Sequence, residues 1–551
     1  MKFSGKEIII KNKKRRVLNF NKVNEKTRNI LTQHAEKHAG DLKKLFPIVG
    51  IGASAGGLNS FMRLLENLPI DTGMAFVIVQ HLDPKHESGL TEILAKTTNM
   101  PVHEVKDSMV VQPDHVYVIP PDKELAVKNG ILNLMLRNDT AKRHMPVDTF
   151  LESLAKDQGS TAIGVILSGS QSDGSRGLQE IKAIGGITFA QTPESSKHDG
   201  MPRSAIATGD VDFVLPPEEI AFELARIARS GAYNDTGAKK DELFSDDSAE
   251  LEQIFALLQA ACKINFADYK QLTVKRRILR RMDLHRMEKL HDYVDYLRQN
   301  PAEVSALHQD ILINVTNFFR DPLAFETLRS MVFPTIMKNR VSDDAIRIWV
   351  PGCSTGEEAY SIAITLLEYL GDKAAVMPIK VFATDVNETA IIKARQGIYP
   401  KSIKADVSTG RLRNFFTELD NGYQICKAVR DMCIFARQDI VNDPPFSHLD
   451  LISCRNVMIY LGPVLQKKMF SVFHYALKQN GFLILGTSES VGIFADLFGL
   501  ADKKYKVYAK KAIQTPSAYS FPVKDFAATL ADTVGDNYQG GLAAGKKIDV
   551  Q

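Results

Sequence analysis

Short, nearly unbroken apolar runs separated by longer stretches with apolar residues three and four apart recur twice along the chain. Between residue 46 and about residue 230, the runs 48–51, 74–79, 162–167 and 186–190 read as strands buried on both faces, and the intervening segments read as amphipathic helices. That alternation predicts a doubly wound α/β domain. Within it, Asn129-Gly130 stands between two alternating stretches of 124–136 and predicts a hairpin. From 251 to about 328 the spacing is helical throughout, which predicts a small all-α subdomain. A second α/β pattern follows, with strands expected at 346–350, 379–384, 432–436, 450–454 and 482–485. The irregular stretch 397–430 interrupts it and predicts a small inserted subdomain.

Length agrees with this division, since 551 residues exceed what one hydrophobic core usually organises. Residues 231–250 are rich in Gly, Asp and Ser and read as a linker, and 512–551 lose all periodicity and read as a disordered or linker-like tail. The expected organisation is a tail over 1–44, an α/β domain over 45–230, the linker, a helical unit over 251–328 and a second α/β domain over 329–511. At 44% hydrophobic and 24% charged, the composition is that of an ordinary soluble protein.

The formal charge of +4 conceals an asymmetry. Residues 1–44 hold thirteen Lys/Arg against four Asp/Glu, a local +9 that leaves −5 for the rest. The run Lys11 to Arg16 suits either a solvated flexible tail or an anionic partner. No stretch near it is long and apolar enough for a signal peptide or membrane helix, so a cytoplasmic protein without membrane insertion is expected. Five scattered cysteines without C-x-x-C spacing predict neither a disulfide framework nor a zinc site, and no metal is expected.

Two loops carry candidate chemistry. In Val49-Gly50-Ile51-Gly52-Ala53-Ser54-Ala55-Gly56-Gly57, the glycines allow a tight strand-to-helix turn that would expose the Ser54 hydroxyl beside backbone N–H groups. A dinucleotide loop is the competing reading, although G-x-G-x-x-x-G departs from the usual spacing. His81 ends the next strand, and Asp173 follows another in Leu167 to Gly174 (LSGSQSDG), so the three would share the carboxyl edge of the sheet. A serine, histidine and aspartate gathered there could act as nucleophile, base and orienting carboxylate.

The second loop is Trp349-Val350-Pro351-Gly352-Cys353-Ser354-Thr355-Gly356-Glu357-Glu358, with Asp385 ending the following strand where a carboxylate would meet ribose hydroxyls. The absence of a Walker lysine after Gly356 argues against a nucleoside triphosphate. S-adenosylmethionine suits the pattern, and NAD stays open on pattern alone.

GASAGG, QHLDP, SGSQSDG and Gly200-Met201-Pro202-Arg203, in this order, resemble the CheB-type chemotaxis methylesterase over about residues 45–230. The resemblance implies a Ser54, His81 and Asp173 triad that hydrolyses glutamate γ-methyl esters and extends to deamidating glutamine. Gln171 stands where the family usually has glycine. The family's N-terminal phospho-receiver is replaced by the basic tail, which implies control by other means.

Asn314 to Arg320 (NVTNFFR), Gly352 to Glu358 (GCSTGEE), Ala383-Thr384-Asp385 and Cys454 to Tyr460 (CRNVMIY) resemble the CheR-type receptor glutamate methyltransferase over about 251–511. That resemblance implies S-adenosyl-L-methionine as cofactor, with S-adenosyl-L-homocysteine as product. It puts Asn314, Thr316, Arg320, Glu357, Asp385, Asn456 and Val457 against the cofactor, Asp439 and Ile440 beside its adenine, and Arg320 and Tyr460 at the reacting end. It also implies that the insertion at 397–430 is a β-subdomain.

The basic helix expected at 273–287, with Ile278, Leu279 and Met282 on its apolar side, is where the family meets the acidic helical methylation region of a chemoreceptor. The expected partner is therefore such a protein, met by recruitment to membrane receptors, with sensor-kinase or response-regulator components as further candidates. The function expected is a bifunctional sensory-adaptation enzyme. A signalling scaffold with vestigial or occluded sites is the alternative, and a nucleic-acid methyltransferase is a weaker one because the basic helix lacks interleaved aromatics.

Overall fold

The computed structural model describes residues 46–81, 89–136, 145–229, 248–312, 315–338, 340, 344–420 and 422–513. The expectations for the tail 1–44, for most of the linker, for Asn314 and for nearly all of the C-terminal tail fall outside the described residues.

Two seven-stranded sheets organise the chain. The first runs Phe213–Leu215, Ile187–Gln191, Ile163–Ile166, Ile48–Ala53, Ala75–Gln80, Val116–Val118 and Val102–Glu104, all parallel. Its central strands are apolar on both faces because both are covered. One face buries Val49, Ile51 and Phe76 with Phe61, Leu64 and Leu224, and the other buries Val77, Val79 and Ala190 with Phe150, Leu151 and Leu154. The predicted hairpin is present as Lys123–Lys128 and Ile131–Leu136, and Asn129 (φ 54°) with Gly130 (φ 70°) supplies the paired left-handed residues of a tight turn.

The second sheet runs Cys433–Arg437, Ile379–Asp385, Ile346–Pro351, Leu449–Cys454, Leu477–Leu485, Val507–Lys510 and Phe498–Asp502. The last two strands form an antiparallel hairpin at the edge. The insertion is a small antiparallel sheet of Ile398–Pro400, Gly422–Ile425 and Phe416–Leu419.

Ahead of this domain lie helices Ser248–Cys262, Gln271–Leu284, Leu290–Gln299 and Pro301–Ile311, packed around Leu258, Phe266, Ile278, Tyr293 and Leu307. The helical pattern expected up to 328 breaks at Leu312, and Val315 to Asp321 form an irregular loop before helix Pro322–Thr327. The basic helix ends at Leu284, not Met287. Arg286 adopts φ 58° and Met287 N–H donates to Met282 O at 2.9 Å, a left-handed C-terminal cap. Its buried stripe is Val274, Ile278 and Met282, with Leu279 only partly buried.

Candidate active sites

Ser54 begins the turn after the central strand Ile48–Ala53. Its N–H donates to Ser168 O at 2.9 Å, and Gly56 closes the turn at φ 76° as the N-cap of helix Gly57–Glu66. A Cβ on Gly56 would lie 2.8 Å from Ser168 Oγ, so conformation and space both require glycine there. The neighbouring strand is paired in register, Ala53 with Gln80, which delivers His81 to the same edge. Ser54, Gly56, Gly57, His81 and Lys197 line one open cavity.

His81 Nε2 lies 2.7 Å from Asp173 Oδ2. The Asp173 side chain is fully buried, and it also accepts from the N–H groups of Val147 (3.0 Å) and Asp148 (2.9 Å), the first turn of helix Pro146–Gln158. A carboxylate at a helix N-terminus is held by those donors and by the helix dipole. Gly52 lets the helix come this close, since a Cβ there would meet Val147 Cγ1 at 2.2 Å. Burial, reinforced by the Asp173 charge, pushes the Asp148 carboxyl up to about 8, while the Gly177 N–H donates to its Oδ1 at 2.8 Å. Burial and the neighbouring charge thus favour the protonated form of Asp148 at neutral pH.

Sequence reasoning missed Asp148 and the helix start, as well as Ser168 and Gln191. Both of the latter are wholly buried, and Gln191 Oε1 accepts from Ser168 N–H at 2.9 Å to brace the loop behind Ser54. Pro146 with Asp148 two residues on was the available signal for that helix start.

The second site is a cavity at the carboxyl edge of the other sheet. The loop after Ile346–Pro351 turns through Gly352 (φ 69°), Ser354 (φ 49°) and Gly356 (φ 94°) into helix Glu357–Leu370. Asp385, ending the adjacent strand, accepts from Ser354 N–H (2.8 Å) and Asn387 N–H (2.9 Å), and burial raises its carboxyl above the ordinary value. Thr316, Arg320, Asp385, Asp439, Ile440, Asn456, Val457 and Tyr460 all reach the cavity wall, so eight of the expected residues converge.

Glu357 does not line this wall. Its carboxylate accepts from Thr355 Oγ1 at 2.7 Å, and burial raises it to about 7. One step further round the helix, Glu358 takes the wall position and accepts from Ser453 Oγ at 2.6 Å. Asn314 lies outside the described residues.

Tyr269, Gln438, Val441 and Arg455 also line the wall and were not anticipated. Arg455 donates to Arg320 O (2.9 Å) and Asp321 Oδ2 (2.7 Å), tying the irregular loop to the sheet edge. Asn456 sits at φ 61°, where the buried Glu489 carboxylate accepts its N–H at 2.9 Å. Gln438 Oε1 is buried in the wall and has no hydrogen-bond partner among the described residues, leaving an acceptor for a ligand amine or hydroxyl.

Three family models match consecutive segments of the chain: CheB methylesterase over 49–224, the all-alpha domain of CheR methyltransferase over 249–312, and its SAM-binding domain over 314–507. The putative methyltransferase Cher3 of Pseudomonas putida is 31% identical over 274 residues, 47% of this chain and 96% of that protein. A putative protein-glutamate methylesterase/protein-glutamine glutaminase of Leptospira interrogans is 34% identical across 33% of this chain and 95% of its own length. The chain belongs to the CheB and CheR families.

Both catalytic domains thus occur in one polypeptide, and together they support a role in chemotaxis methylation and demethylation. An uncharacterized 104.1 kDa protein of Rhodobacter capsulatus is 36% identical over 440 residues, 76% of this chain, and the chain spans 46% of that protein's length. The crystal structure of the Thermotoga maritima CheB methylesterase catalytic domain aligns with 34% identity over 33% of this chain and 98% of its own, at a TM-score of 0.31. The Ser54 cavity falls in the CheB segment and the cavity beside Asp385 in the CheR segment. Among the described residues, no helix is long and apolar enough to cross a membrane.

Proposed function

We propose that this protein both adds methyl groups to glutamate side chains of a chemoreceptor-like protein and hydrolyses the resulting γ-methyl esters, releasing methanol. The observations that carry the reading are His81 hydrogen-bonded to a fully buried Asp173 in the Ser54 cavity, and the gathering of Thr316, Arg320, Asp385, Asn456 and Tyr460 around the CheR cavity.

In the esterase, Asp173 holds the His81 ring through Nε2, and His81 acts as the base that takes the Ser54 proton. Ser54 Oγ attacks the ester carbonyl, methanol leaves with the proton from His81, and water then frees the glutamate from Ser54 by the same steps in reverse order. The helix start around Gly56 and Gly57 is suited to stabilising the oxyanion.

The CheR cavity fits S-adenosyl-L-methionine by its chemistry. Asp385 retains lone pairs for ribose hydroxyls, Ile440 and Val441 offer an apolar wall for a purine, and Gln438 Oε1 can accept from its amino group. When bound, S-adenosyl-L-methionine supplies an electrophilic methyl group with a neutral leaving group. Arg320 and Tyr460 orient the incoming carboxylate, and positioning dominates the rate because no proton has to move. Asn314 and Glu357 remain part of the proposed set by family resemblance, with Glu358 added from its place in the wall.

The reading is tested by incubating the protein with methyl-labelled S-adenosyl-L-methionine and receptor-containing membranes of its native host, following base-labile protein label and released methanol. Wild type gives both, Ser54→Ala accumulates label without methanol, and Arg320→Ala incorporates none. No protein label in any variant favours the scaffold alternative.

A further inference from the structure

The wall of the Ser54 cavity carries a cation that ester hydrolysis itself does not use. Lys197, exposed to solvent, lines the cavity together with Ser54, Gly56, Gly57 and His81. Its side chain is rooted directly over the nucleophile turn, since a Cβ placed on Gly56 would lie 2.9 Å from Lys197 Cβ. The segment that carries it is fixed on both sides. Ahead of it, the wholly buried Gln191 donates through Nε2 to Ser195 O at 2.9 Å. Behind it, His198 N–H donates to Ser168 Oγ at 3.0 Å and His198 O accepts from Gly169 N–H at 2.8 Å. Ser168 Oγ in turn donates to Ala55 O at 3.0 Å, so Lys197 and the nucleophile turn are held by one buried hydroxyl.

Nothing on the wall balances this charge. The residues lining the cavity include no aspartate or glutamate, and Asp173 is fully buried against His81. Asp199, two residues past Lys197, is taken by Arg203, and among the described residues no carboxylate pairs with Lys197. Helix Gly57–Glu66 starts at the same wall without an acidic residue in its first turn, which leaves the positive end of its dipole unopposed. A glutamyl methyl ester is uncharged and gains little from such a field, whereas a free carboxylate beside it gains directly.

We infer that Lys197 is a specificity-determining residue of the esterase, receiving a free carboxylate next to the reacting ester so that esters set in an acidic helical segment are hydrolysed in preference to isolated ones. On a helix, side chains three and four residues apart share a face with Cβ atoms about 5–6 Å apart, so a neighbouring glutamate arrives on the side of the ester itself. The inference rests on the esterase reading above and names the kind of ester that reading takes.

The test uses the full-length protein and two helical peptides, each with one glutamate γ-methyl ester, flanked three and four residues away by glutamate in one and by alanine in the other. Released methanol gives the ratio of kcat/KM for the two peptides, a quantity that a general loss of activity does not move. Wild type is expected to favour the glutamate-flanked ester roughly three- to fivefold at low ionic strength. The preference should fade in about 0.5 M salt. Lys197→Arg should keep it, Lys197→Ala should bring the ratio near one, and Lys197→Glu should reverse it. A wild-type ratio near one, or a preference that survives in Lys197→Ala, overturns this inference and leaves the esterase reading standing. Equal losses on both peptides in Lys197→Ala, with the ratio kept, overturn it as well. No methanol from either peptide with wild type overturns both.

Discussion

Arg280, on the basic helix of the CheR half, and Asp212, just ahead of the edge strand of the CheB half, form an ion pair in which each side chain is only 1% exposed. Asp212 also accepts from Lys182 Nζ at 2.7 Å and Thr188 N–H at 3.0 Å, and Arg280 Nε donates to Gly186 O at 3.1 Å. The two halves are therefore joined through a desolvated charge cluster, an arrangement that is costly to leave half-made.

Burial alone would raise Asp212, but Arg280 and then Lys182 hold its carboxyl down to about 2. An unfolded aspartate titrates near 3.9, so the stabilisation is complete above about pH 4 and fades as pH falls towards 2. Asp212→Asn is expected to cost about 3–5 kcal/mol at pH 7. It should also flatten the dependence on pH below 4. Denaturant unfolding at pH 7 and pH 3 measures both, and a variant as stable as wild type at pH 7 would contradict a desolvated pair.

Asp148 has the opposite sign. Its folded carboxyl is raised, so the native state binds its proton more tightly than the unfolded chain does, and stability declines as pH rises from about 4 to about 8. Asp148→Asn removes the titration while keeping the shape. The variant should gain on wild type with rising pH, by up to about 1.4 kcal/mol per pH unit in that window. Equal unfolding midpoints of wild type and variant across pH 5 to 8 would contradict a buried, protonated Asp148.

Much of this arrangement was legible in the chain, and the exceptions share a cause. The central strands announced themselves because burial on both faces leaves an uninterrupted apolar run, and Asn129-Gly130 marked its hairpin because both residues must adopt positive φ. Edge strands such as Val102–Glu104 and Phe213–Leu215 are three residues long and only partly buried, which leaves no periodicity to detect. The loop Val315 to Asp321 carries apolar residues at helical spacing, yet it is held open by contacts distant in sequence, Arg455 donating to Arg320 O and Phe319 N–H donating to Ser361 Oγ. Glu357 and Glu358 are adjacent acids whose roles differ only by rotation about the helix axis. Helix Pro146–Gln158, which clamps Asp173, was hidden for the same reason, because its role depends on Gly52 nearly a hundred residues earlier.

Gly52→Ala tests that clamp. With a Cβ at 2.2 Å from Val147 Cγ1, the helix must move off the strand, at a cost of roughly 1–3 kcal/mol. Displaced Val147 and Asp148 N–H groups would loosen Asp173 and with it His81. Ester hydrolysis is expected to fall at least about tenfold. Affinity for S-adenosyl-L-methionine in the other half should stay unchanged, and an unimpaired esterase would contradict the role given to the helix.

Asp385→Asn tests the cofactor wall. It replaces the proposed acceptor of ribose hydroxyls, which also accepts from two backbone N–H groups, by a neutral amide. Binding of S-adenosyl-L-methionine is expected to weaken by about 10–100-fold in calorimetry. Esterase turnover should not change, and retention of full affinity would remove Asp385 from the site.

The central claim, that one chain writes and erases the same esters, is tested most directly by a chase. Receptor-containing membranes are first labelled by Ser54→Ala with methyl-labelled S-adenosyl-L-methionine, washed, and then exposed to Arg320→Ala, which keeps the esterase and lacks the transferase. The account predicts that labelled methanol is released and the base-labile protein label disappears, whereas fresh Ser54→Ala releases none. Stable label in the presence of a folded Arg320→Ala protein would contradict it.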